Sequence, residues 1–284
     1  MPLRRRDLIL STVATPLAAA HAAARTLRIP HVSARADVLN NYPAVLLEQA
    51  LAAAGVPVTL EPTSELIPQN RAMQELGRRR GRLDVVWTMT SVEREKQALA
   101  VRVPLFKGLY GWRLLLAQPE VAERLRSVTS LAELRQFSMV QGHEWPDTGI
   151  LQANGVKVVI SPNYDAMFKQ LRLGRVDAFP RSVEEIWWEL ERYGQGLVIV
   201  PDICLHYPAP VYYFVASDDA DLAAAIHVGL QRLRANGTFD RLFLKHHGED
   251  LARAKLASRR IIELVNPLLP PDAPLDKPEL WYRP

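Results

Sequence analysis

One short phrase occurs twice in this chain. Gly81-Arg82-Leu83-Asp84-Val85-Val86 and Gly174-Arg175-Val176-Asp177-Ala178-Phe179 each follow an amphipathic helical pattern, and each opens an apolar run. The helical stretches are Arg71 to Leu76 before the first copy and Tyr164 to Leu173 before the second. Each unit reads as a helix, a glycine that ends it in the left-handed conformation, and a buried parallel strand. Two copies about one lobe's length apart call for two similar α/β lobes. A cleft then lies between them, and a cleft is where a small ligand binds.

The chain's 284 residues give each lobe enough length for its own core. Its formal charge of +4 includes +2 from Arg4, Arg5, Arg6 and Asp7, so the remainder is nearly neutral and nucleic acid is not an expected partner. Those arginines precede an apolar segment from Leu8 to Ala20 and then Ala22-Ala23-Ala24, the pattern of an export signal cleaved near Ala24. Arg5-Arg6-Asp7-Leu8-Ile9 also fits a twin-arginine signal, so both export routes stay open. A lone cysteine, Cys204, excludes an internal disulfide, and the signal region has no cysteine to carry a lipid. No later apolar run reaches the ~20 residues that span a bilayer. The expected product is a soluble periplasmic monomer without a membrane anchor.

The periodicities predict strands at 27–32, 58–61 and 83–87 alternating with helices at 43–54 and 69–80, then extended segments at 101–104 and 111–117. A second βαβαβ block follows. Its helices fall at 131–135, 147–154, 163–173 and 183–193, and its strands at 137–141, 156–160, 176–179 and 197–200. A returning strand at 211–216 and helices at 222–235 and 239–246 close the pattern. The implied division is a signal at 1–24, lobe 1 at 25–110, an inserted lobe 2 at 111–207, a return to lobe 1 at 208–265, and an arm at 266–284. That arm carries six prolines in 19 residues, so it is irregular and packs through Leu268, Leu269, Leu280, Trp281 and Tyr282.

This order resembles the type II periplasmic solute-binding proteins, and in particular the amino-acid-type, family 3-like transporter substrate-binding domains of a divergent proteobacterial branch. The residues that carry the resemblance are Asp84 to Thr90 with Glu93-Arg94, then Pro104-Leu105-Phe106-Lys107-Gly108-Leu109-Tyr110, and Leu173 to Ala178. Trp145-Pro146-Asp147, Pro180 to Ile186 and Asn266 to Pro270 are features shared with that branch. The resemblance covers about residues 26 to 262 and implies a two-lobed fold with two crossover strands as a hinge, near 108–112 and 204–210. It also implies capture of a small polar ligand, anionic or amino-acid-like, and delivery to an inner-membrane ABC permease. A sensor subunit for a membrane signalling protein is the alternative. A cyclohexadienyl-dehydratase-like enzyme is a more distant one, with Glu144 or Glu184 as acid; the main reading is not an enzyme.

Arg94 is the first candidate to hold ligand, since the resembling proteins place there an arginine that grips a carboxylate with two parallel N–H donors. Its alternative role is a solvated charge in Glu93-Arg94-Glu95-Lys96. Trp87, Thr88 and Thr90 surround it, though Trp87 equally suits the core. In lobe 2, His143 and Trp145 lie between a strand end and a helix start, while Pro146 and Asp147 suit the helix's first turn. Arg35 and Tyr42 follow the first strand and complete the set, with Gln69 and Arg71 as weaker candidates. Arg181 is the departure: the resembling proteins have there an aspartate for the ligand amine. A cation at this point implies that the ligand is not a simple α-amino acid and carries a second acidic or strongly hydrogen-bonding group. His246-His247 point ~100° apart on a helix, no zinc spacing occurs, and no nucleophile elbow or phosphate loop is found, so neither metal nor cofactor is expected.

Overall fold

A computed structural model describes residues 25–31, 41–76 and 81–284. The predicted export signal and Arg35 lie outside the described residues. Two groups of strands are present. In the first, β1 (Arg25–Ile29) pairs in parallel with β2 (Val58–Pro62). β3 (Val85–Met89) and β4 (Leu99–Val101) flank β11 (Val211–Val215) antiparallel. In the second, β6 (Ser138–Gly142) pairs in parallel with β7 (Lys157–Ser161), and a bridge from Met139 to Ala178 joins them to the remaining strands. These run in the order β12 (Arg260–Glu263), β10 (Ile203–His206), β5 (Trp112–Ala117), β8 (Phe179–Ser182), with β9 (Val198–Ile199) also on β5.

The repeated phrase has one structural job in both groups. Asp84 donates its backbone N–H to the Arg28 carbonyl at 2.8 Å, and its carboxylate accepts the Arg28 N–H at 2.7 Å. Asp177 does the same with Ser138, at 3.0 and 2.7 Å. Each aspartate therefore clasps the neighbouring parallel strand from both sides and fixes its register. The Arg28 guanidinium adds a second hold on Asp84 at 2.7 Å, and the Ser138 hydroxyl one on Asp177 at 2.8 Å. Before the second copy, α7 (Tyr164–Arg172) ends at Gly174 with φ 63°, the left-handed stop that the sequence calls for.

Helices cover both groups. α1 (Tyr42–Ala54) packs on α9 (Ala220–Ala235), and α10 (Thr238–Ala254) lies beside them. α2 (Gln69–Leu76), α3 (Val92–Gln97), α4 (Pro119–Arg126), α5 (Leu131–Leu134), α6 (Pro146–Ala153) and α8 (Ile186–Tyr193) complete the set. The core is a nearly continuous body of buried aliphatic and aromatic side chains from both groups. Among the described residues no helix is long and apolar enough to cross a membrane.

Three differences from the sequence reading matter for the site. α3 was not expected, because Val-Glu-Arg-Glu-Lys-Gln has no apolar face; Ser91 caps it by accepting the Arg94 N–H at 3.2 Å. β8 begins at Phe179 rather than ending there, which puts Arg181 inside a strand opposite Leu114 of β5. The return to lobe 1 expected over 208–265 is interrupted, because β12 pairs with β10 in the second group. Between the groups, Tyr207 donates its N–H to the Gly111 carbonyl at 3.2 Å, so the two crossing segments run side by side. Only glycine fits at 111, since a Cβ there would lie 1.8 Å from the Tyr207 carbonyl oxygen.

Removing either clasp leaves a strand N–H without its partner, so Asp84→Ala and Asp177→Ala are each expected to lower stability by about 1–3 kcal/mol in urea unfolding. Burial opposes ionisation of Asp84, but hydrogen bonds from the Arg28 side chain and backbone outweigh it and hold its pKa below the ordinary value. Its contribution is therefore present at neutral pH and lost as pH falls through that depressed pKa, below about 4. The stability gap between wild type and Asp84→Ala should close in that acid range.

Candidate ligand-binding cleft

Two adjoining chambers lie between the strand groups. The first, about 400 Å3, is lined by Gln69, Trp87, Thr88 and Met89 on one side, by Tyr110 of the crossing segment and Arg113 of β5, and by Trp145, Pro146, Asp147, Tyr164, Arg181, Glu184, Glu185, Trp188 and Glu189 on the other. The second, about 660 Å3, shares Trp145 and Pro146 and adds Arg94, His143, Glu144 and the arm residues Pro267 and Leu268. Both volumes fall in the range of small-molecule sites.

Arg94 lines the second chamber. It is the third residue of α3, and a helical side chain leans toward the helix N-terminus, which carries it back under the end of β3. There its guanidinium donates to the Thr88 hydroxyl at 2.7 Å, the Met89 carbonyl at 2.7 Å and the Gln69 Oε1 at 3.0 Å. Only 5% of the residue is exposed. Among the described residues no carboxylate forms an ion pair with it. Burial therefore pulls its pKa down to about 10, with Asp147 and Glu144 across the cleft acting in the opposite direction. A buried cation whose only partners are neutral oxygens is poised for an anion.

The facing wall carries a chain of buried ion pairs. Arg113 holds Asp147 and, at 3.3 Å, Glu185. Tyr207 donates to Asp147 and accepts from Arg113 Nε at 3.0 Å. Arg181 reaches Glu185 at 2.9 Å and grips both oxygens of Glu189 at 2.7 to 2.9 Å. Burial raises the Glu185 pKa above its ordinary value, against the pull of Arg181 and Arg113. Glu184 has no such partner. Burial, followed by repulsion from Glu185 and Asp250, lifts it to about 8 against a hydrogen bond from Tyr110. The first chamber therefore sets Arg113 and Arg181 beside Asp147, Glu185 and Glu189, with Glu184 protonated at neutral pH. Arg94 shares the second chamber with Glu93 and Glu144, and among the described residues it is the cleft arginine without an ion-pair partner, facing a carboxylate-rich wall.

Several expected site residues fall elsewhere. Trp87, Thr88, Trp145 and Arg181 line the first chamber, while Arg94 lines the second. Trp145 lies flat on β6, since a Cβ at Gly142 would come within 2.7 Å of its ring. His143 reaches only the rim of the second chamber, with 52% of its side chain exposed beside Glu144. Thr90 is fully buried and donates to Glu95 at 2.6 Å, behind α3 rather than in the cleft. Tyr42 opens α1 and turns into an aromatic cluster with Phe106 and His247, donating to the Leu105 carbonyl at 2.8 Å. The second acidic ligand group inferred from Arg181 is not needed, because Glu185 and Glu189 already neutralise that cation. Sequence reasoning missed Tyr110, Arg113, Tyr164, Glu185, Trp188 and Glu189. The four-residue spacing of Arg181, Glu185 and Glu189 was the available signal.

No protein-family model matches the sequence, and no curated protein matches it. Solved structures do. An ancestral arginine-binding protein bound to arginine aligns at TM-score 0.56 and 20% identity over 78% of this chain and 97% of that one. A binding component of an ABC transporter from Wolinella succinogenes, complexed with lysine, aligns at 0.56 and 17% over 78% and 94%. A histidine kinase sensor domain with similarity to periplasmic binding proteins aligns at 0.55 and 19% over 79% and 96%. The chain thus has the two-lobed type II periplasmic-binding-protein fold, shared with amino-acid-binding proteins.

The buried acid makes a pH-dependence that can be measured. A carboxyl whose folded pKa is raised contributes stability that is complete below its unfolded value and lost as pH rises through the folded one. Wild-type stability should therefore carry a decline between about pH 4.5 and about 8 that Glu184→Gln removes, read from urea midpoints across that range.

Proposed function

We propose that this protein is a periplasmic solute-binding protein that captures a small zwitterionic, amino-acid-like solute by closing its lobes about the paired crossing segments. The observation that carries the reading is Arg94, buried and without a carboxylate partner among the described residues. A ligand carboxylate supplies the missing anion through a forked pair of hydrogen bonds. The ligand ammonium then faces Asp147 on the opposite wall, where Arg181 already holds Glu185 and Glu189. The preponderance of carboxylates over arginines across the two chambers disfavours polyanions. Trp87, Trp145 and Trp188 give the chamber flat apolar surface for the rest of the molecule.

Residues 1–24 act in this reading as the export signal, and the loaded protein delivers its solute to an inner-membrane ABC permease. The likeness to a sensor domain supports a second reading, in which the loaded form reports to a membrane kinase. Cross-linking of the loaded protein to membranes separates the two, by whether a permease or a kinase is recovered.

Titration calorimetry against the common α-amino acids tests the reading. At least one neutral amino acid should bind, and Arg94→Met should weaken it roughly 100-fold or more, equal to about 2.7 kcal/mol. Circular dichroism should show the variant folded, since the buried unpaired charge it removes contributes little to stability. Binding that survives the substitution unchanged would contradict the proposal.

A further inference from the structure

Arg181 is held in a way that goes beyond fixing a strand. Its guanidinium makes a two-pronged contact with Glu189, a further contact with Glu185 at 2.9 Å, and lies 4.7 and 4.9 Å from the ring centres of Trp145 and Phe179. Those two rings are stacked nearly parallel, with their planes 8° apart. Paired carboxylates and flat aromatic faces are the partners that a planar, weakly hydrated cation selects. Trp145, Glu185 and Glu189 all line the first chamber, as does Arg181 itself. Tyr164 completes the frame by donating to Glu189.

We infer that this corner of the chamber is a guanidinium-binding subsite whose permanent occupant is the chain's own Arg181, and that this occupancy determines specificity against ligands with a cationic side chain. The geometry explains how. Arg181 sits on β8 with its side chain turned toward α8, which Glu185 precedes as cap residue and Glu189 occupies. Two of the three carboxylates of that wall are committed to it. A second cation entering the chamber finds those acceptors taken and meets a buried like charge, a repulsion that low dielectric strengthens. The ammonium of a neutral amino acid still has Asp147, whose partners Arg113 and Tyr207 come from β5 and the second crossing segment and leave it on the chamber surface.

Removing the occupant should expose the subsite. Arg181→Ala is expected to melt below wild type, and millimolar guanidinium chloride should raise its melting temperature saturably while equal sodium chloride does not. Wild type should not respond. A folded variant, by circular dichroism, that guanidinium affects no more than sodium chloride would overturn the inference. A second arm needs no variant and rests on the solute-binding reading: L-arginine and L-lysine should bind wild type at least roughly tenfold more weakly than the best neutral amino acid, about 1.4 kcal/mol. Equal affinity for the basic amino acids would also overturn the inference, even if Arg181→Ala does not fold. Should wild type bind no amino acid at all, the solute-binding reading fails, and guanidinium rescue of the variant still decides the role of Arg181.

Discussion

Each strand group is built around one aspartate that bonds the neighbouring strand through both its backbone and its carboxylate. Asp84 and Asp177 fix how the strands beside them begin, and everything at the other end of those strands inherits that register. At the far end of the first lies Thr88-Met89 and the turn into α3, which aims Arg94. At the far end of the second lies the segment that carries Arg181 to the chamber. One repeated local interaction thus positions both arginines around which the cleft is organised.

The two arginines end in opposite states. Arg94 is buried with neutral partners and keeps its charge available. Arg181 is clasped by two carboxylates and has none to offer. Between them, Arg113 ties β5 to Asp147 and Glu185, and Tyr207 ties the second crossing segment to the same Asp147. A group that engages Asp147 is therefore linked to both at once. For the proposed solute binder, this network joins Asp147 on the chamber surface to Tyr207, which pairs with Gly111 at the crossing.

Much of the fold was legible because it rests on local signals: the glycine stop after α7, the apolar runs of β3 and β5, and the restart of the alternation near residue 131. The repeated phrase implies two lobes from the sequence alone. Short α3 stayed hidden because its six residues have no apolar face, yet it places the residue most important to the site. Arg113 stayed hidden for the opposite reason, as a single cation in the run Trp-Arg-Leu-Leu-Leu-Ala, where its partners come from 34 and 72 residues further along the chain. The ion pairs of Arg181 are not legible either, since a charge count along the sequence does not show that Glu185 and Glu189 bond it. Thr90 and Tyr42 were placed by proximity in sequence, and each turned its hydroxyl to a partner behind the cleft wall.

The central claim is that the cleft holds a solute bearing both a carboxylate and an amine with no net charge. Mass spectrometry of the small molecule released when the purified protein is unfolded tests it most directly. The account expects a compound with one carboxylate and one amine, absent from Arg94→Met prepared in the same way. A released compound lacking either group, or one retained equally by that variant, would contradict it.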